Sequence, residues 1–94
     1  MQNSATITGK VYFMSQEENM GASGSTKKTV VVEYVDGNRL QRVPIDFFNP
    51  KNTLDMIGVG NDVLVMYLPT GQESRTQPGR FFSGFKGISI QILR

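Results

Sequence analysis

The 94-residue chain reads as an all-β domain, a small five-stranded barrel with one short helix between the third and fourth strands. Apolar and polar residues alternate at period two in several segments, the mark of half-buried strands. Glycines interrupt those segments where a tightly curved strand bends. One stretch alone carries helix-start chemistry. The length fits a single domain over 1–94, with flexible loops at about 15–26 and 69–79. A chain this short buries little more than ~60% of its unfolded surface, so it must close efficiently or borrow surface from a partner.

The first strand spans 5–14. Ile7, Gly9, Val11 and Phe13 share one face; Thr8, Lys10, Tyr12 and Met14 share the other. Residues 15–26 are small and polar and read as a long loop. Residues 27–35 and 39–48 form a hairpin: Thr29 to Val35 is rich in β-branched residues, and Asp36-Gly37-Asn38 is a tight-turn signature. Pro44 lacks an N–H and marks an edge or a bulge on the second strand of that hairpin. Residues 49–60 hold the helix candidate, with Asn49 as cap, Pro50 at the first position, Leu54, Met56 and Ile57 on one side and Gly58 as terminator. Val63, Val65 and Tyr67 then alternate with Leu64, Met66 and Leu68, a strand apolar on both faces. Residues 69–80 read as a second loop, with Pro69, Gly71, Pro78 and Gly79, and the last strand runs from about Arg80 to Leu93.

That order is the order of the OB-fold, a five-stranded Greek-key barrel whose two longest loops flank an oligonucleotide-binding face. The segments Ile7-Thr8-Gly9-Lys10-Val11, Lys27-Lys28 before an apolar strand, Ile45-Asp46-Phe47-Phe48-Asn49, Val59-Gly60-Asn61-Asp62-Val63 and Gly79-Arg80-Phe81-Phe82 resemble a family of short OB-fold proteins of unknown function. Its members come from Bacteroidetes bacteria and their phages. More distantly, the layout looks like single-stranded DNA-binding proteins and the primosomal replication protein. The similarity covers about residues 5–92, and the order of the short motifs carries it. It implies the fold more firmly than the activity. Two departures stand out. The housekeeping single-stranded DNA-binding proteins end in an acidic recruiting tail, whereas this chain ends Ile90-Gln91-Ile92-Leu93-Arg94; and it has no tryptophan for stacking.

Composition narrows the chemistry. The chain has no cysteine and no histidine, which removes disulfides, thiolate metal sites and the commonest general base. Glu17-Glu18 is a loop pair, and Asp46 and Asp62 stand alone. No catalytic residue, metal ligand or cofactor site is expected, and the chain is not expected to be an enzyme. Gly21 to Ser25 lacks the flanking strand, helix and Lys-Ser/Thr of a phosphate loop. No signal peptide or bilayer-spanning stretch is visible, so a cytoplasmic protein with no membrane partner is expected.

The informative pattern is aromatic residues beside cations on β-segments. Rings give bases a surface to stack on, and cations attract phosphate, which suffices to hold a single strand without reading its sequence. By phase, Phe13, Phe47, Tyr67 and Phe82 belong to the core. Tyr12, Phe48 and either Phe81 or Phe85 are the stacking candidates. Lys27 and Lys28, Arg39 and Arg42, Arg75 and Arg80, flanked by Lys10 and Lys86, are the cationic candidates; Lys51 and Arg94 fall away from them. Because the net charge is only +2, the cations must cluster to matter. The expected partner is single-stranded DNA, or RNA, in replication, recombination or repair. The alternative is a protein–protein interaction or assembly module. An apolar outer face of Leu64, Met66 and Leu68 motivates it and also suggests a homodimer.

Overall fold

The computed structural model describes residues 3–21, 24–50 and 53–94. It contains β1 (Ala5–Met14), β2 (Glu18–Asn19), β3 (Thr26–Asp36), β4 (Arg39–Phe48), β5 (Asp62–Glu73) and β6 (Phe81–Ile92). The five long strands close into a barrel: β1 pairs with β5, β5 with β6, β6 with β4, β4 with β3, and β3 returns to β1. Every pairing is antiparallel except β4 with β6, which meet in parallel at Asp46↔Lys86. This is the Greek-key order of an OB barrel. The short β2 lies along β3.

Val11, Val30, Val32, Ile45, Phe47, Val63 and Val65 point inward from four alternating strands, β1, β3, β4 and β5, and Leu54, from the β4–β5 connection, joins them. Two glycines let the wall close this tightly. A Cβ at Gly9 would run into the Glu33 carbonyl oxygen, where β1 leaves β5 and joins β3. A Cβ at Gly87 would run into the Phe47 ring, so β6 crosses the core's largest side chain with nothing but backbone.

Three expectations are corrected. The described residues contain no helix; Thr53 to Met56 is a run of turns, with Thr53 N–H donating to the Pro50 carbonyl and Ile57 N–H to that of Leu54. Asn49 does not cap. It sits at φ 49° and exchanges bonds with Thr26: its N–H donates to the Thr26 carbonyl, and its Oδ1 accepts from the Thr26 N–H. With its cap committed to β3 and Gly58 and Gly60 close behind, the segment lacks the length to offset helix nucleation. Lys51 and Asn52 lie outside the described residues.

The 69–79 loop is also shorter than expected. β5 continues to Glu73 and β6 starts at Phe81, so a two-stranded ribbon extends past the barrel wall and only 74–80 turn. β1 accompanies β5 no further than Tyr67, so the β1 side of β5 is an open edge at Pro69, the kind of place where a proline is tolerated in a strand. Ser74 organises the turn, accepting from the N–H groups of Thr76 and Gln77, while Glu73 accepts from Gly79 N–H. In the first loop, Glu18 and Asn19 pair with Lys27 and Thr26, so 15–26 holds a short strand; Ala22 and Ser23 lie outside the described residues.

The third correction concerns which way the rings face, and it defines the site.

Candidate nucleic-acid interface

A β-bulge at Tyr12 re-aims the end of β1. Val11 stands opposite Val32, but Phe13 stands opposite Val31, leaving Tyr12 as the extra residue. One added residue exchanges the faces of everything beyond it. Met14 therefore turns inward onto the core, and Phe13, expected inside, is 52% exposed. Tyr12 is exposed beside it. The Arg42 guanidinium lies 4.0 Å from the Tyr12 ring centroid, and its Nε donates to Glu33 Oε2 at 2.8 Å. That hydrogen bond leads the causes that raise the Arg42 pKa above its ordinary value.

A second bulge sits in β6. Met66 faces Ser89 while Tyr67 faces Gly87, so Ile88 is the extra residue. The parity of β6 reverses there, and with it the expected placement of the phenylalanines. Phe85, a stacking candidate, packs against the core and meets Tyr67 edge-on at 5.0 Å between centroids. Phe82, expected in the core, is 53% exposed, with the Arg80 guanidinium 5.5 Å from its ring centroid. Phe81 is exposed too, but its register partner is Glu73, so it lies on the opposite side of the ribbon from Phe82.

The outer face of β3 and β4 carries its own pairs. Phe48, exposed, stands directly across from Lys27. Thr29 Oγ1 donates to Asp46 Oδ1 at 2.7 Å, and Lys86 is the β6 neighbour of Asp46. Strand alternation separates the other cations. Lys28 pairs with the buried Phe47 and Arg39 pairs with Asp36, both on the opposite phase from Lys27 and Arg42. Lys10 shares the outer face but is 3.7 Å from Asp62. Arg75 is exposed in the ribbon's turn.

One wall of the barrel and the adjoining ribbon thus bring together Tyr12 with Arg42, Lys27 with Phe48, and Arg80 with Phe82, with Lys86 between the last two groups. Phe13 and Phe82 were missed because a bulge is set by the strand across the barrel; Gly84 and Gly87 were the only local hint of the second one.

No protein-family model matches the chain and no curated protein matches it, so the resemblance to the bacterial and phage family assigns the chain to no family. Solved structures do match. The N-terminal domain of the PriB protein from Thermoanaerobacter tencongensis, a dimer, is similar with a TM-score of 0.72 and 17% identity, over 98% of this chain and 97% of that one. The mitochondrial single-stranded DNA-binding protein Rim1 from S. cerevisiae is similar with a TM-score of 0.72 and 15% identity, over 100% and 97%. At such identities the likeness is one of fold: the chain is an all-β, five-stranded closed barrel resembling OB-fold single-stranded DNA-binding proteins.

Proposed function

We propose that this protein is a non-catalytic binder of single-stranded DNA, with RNA as a second substrate, that holds the strand by stacking and charge. The observation that carries this reading is the repeated pairing of an exposed ring with a cation on one wall: Tyr12 with Arg42, Phe48 with Lys27, Phe82 with Arg80. A ring accepts any base, and a cation beside it meets the phosphate that follows. The fold supports the reading, because the OB barrel binds oligonucleotides on the wall made by its second and third long strands, here β3 and β4. The likeness to Rim1, a single-stranded DNA-binding protein, points the same way. Such a binder serves replication, recombination or repair, where single strands are exposed. Amide chemical-shift mapping with a short dT oligonucleotide tests the placement. Shifts should concentrate on 12–13, 27–31, 42–48 and 80–86; shifts confined to the β1–β5 wall would contradict it.

A second reading concerns association of two copies. Met66 and Ile88 are exposed and Leu64 and Leu68 half-buried on the outer side of β5 and its bulged neighbour. An apolar strip of this kind is covered when two copies pair through it. Sedimentation at micromolar concentration tests it, and a strict monomer would refute it.

A further inference from the structure

We propose that the cavity at the root of the β5–β6 ribbon is a nucleobase pocket that favours guanine, an inference that rests on the single-strand-binding reading. The cavity is open, about 230 Å³, and is lined among others by Asp46, Thr70, Gln72, Phe82 and Gly84. Phe82 supplies an exposed ring face. Gly84 lines it with backbone alone, and a Cβ there would lie 3.4 Å from Thr70 Oγ1.

Asp46 is the residue that a pure phosphate track does not explain. A carboxylate among cations repels phosphate, and among the described residues Asp46 has no ion-pair partner; the pairs formed are Lys10 with Asp62 and Arg42 with Glu33. The Thr29 hydroxyl donates to Asp46 Oδ1 and anchors the group. The remaining lone pairs can only accept hydrogen bonds. Guanine alone among the bases offers two adjacent donors, the N1–H and the N2 amine, on one edge, matching the two oxygens of a carboxylate. Cytosine and adenine set an acceptor nitrogen beside their amine, and thymine flanks its one N–H with carbonyls. Gln72 and Thr70 carry donors for the oxygen and ring nitrogen on the rest of the base. The wall thus tolerates any base along most of its length and reads one.

The test is an anisotropy titration of wild type and Asp46→Asn with three labelled oligonucleotides: all-dT, dT with one central dG, and dT with one central deoxyinosine, which lacks the N2 amine. Asn keeps a carbonyl oxygen to accept from Thr29, so the variant should fold. One dG should raise wild-type affinity about five- to tenfold over all-dT, the low end for a two-bond base contact. Deoxyinosine should behave like dT. Asp46→Asn should erase the dG advantage while binding all-dT at least as tightly. Equal wild-type affinity for all three oligonucleotides overturns the pocket and leaves the single-strand reading intact. An undiminished dG preference in Asp46→Asn also overturns it. If none of the three binds, the underlying reading fails and takes the pocket with it.

Discussion

The guanidinium of Arg42, on β4, reaches across β3 to lie 4.0 Å from the ring centroid of Tyr12 on β1. Glu33, on the intervening strand, holds it by a 2.8 Å hydrogen bond. The pair is built from three strands that meet only when the barrel closes, and it presents a rigid ring with a fixed positive charge.

Tyr12→Ala should therefore weaken binding to a dT oligonucleotide by about 1–3 kcal/mol, the worth of one lost base stack. Because the ring is nearly half exposed, the thermal unfolding midpoint should hardly move. Anisotropy titration and circular dichroism read the two effects separately.

Phe82 and Phe85 should separate the same way. Phe85 packs on the core and on Tyr67, so Phe85→Ala should destabilise the fold by about 2–3 kcal/mol, below the value for a fully buried ring. Phe82→Ala should leave stability unchanged and weaken binding. Urea denaturation beside titration distinguishes them, and the reverse outcome would contradict the bulge at Ile88.

Much of this architecture was legible in the residues. Where a strand pairs without interruption, alternation told inside from outside: Ile45, Phe47, Val63 and Val65 are all buried. The Asp36-Gly37-Asn38 turn and the strand order could be read as well. Phe13, Phe82 and Phe85 could not, because each lies beyond a bulge whose position depends on a partner strand distant in sequence. The helix was misread for a related reason. Asn49 and Pro50 have the local chemistry of a helix start, but a tertiary bond to Thr26 takes the cap. In the ribbon, Pro69 and Gly71 carry loop chemistry, and pairing with Phe85 and Ser83 overrides it.

Gly87→Ala should cost about 1–3 kcal/mol, because a methyl there would enter the Phe47 ring and force the core to shift. Chemical denaturation measures it. Wild-type stability in the variant would mean that β6 does not cross Phe47 this closely.

Asn49→Ala should cost about 1–2 kcal/mol. It removes the acceptor for Thr26 N–H and places a Cβ residue without local compensation at a left-handed φ of 49°. Asn49→Gly should recover part of the loss by relieving the backbone, a difference that denaturation midpoints resolve.

The most direct measurement is an anisotropy titration of a labelled dT oligonucleotide with wild type and a Tyr12→Ala/Phe48→Ala/Phe82→Ala variant at 50 mM and 200 mM salt. If Lys27, Arg42, Arg80 and Lys86 each meet a phosphate, the affinity of wild type should fall roughly fiftyfold between the two salts. The triple variant should bind far more weakly at both salts while keeping a similar salt dependence. Absence of wild-type binding at 50 mM salt, or a triple variant that binds as wild type does, would contradict the account.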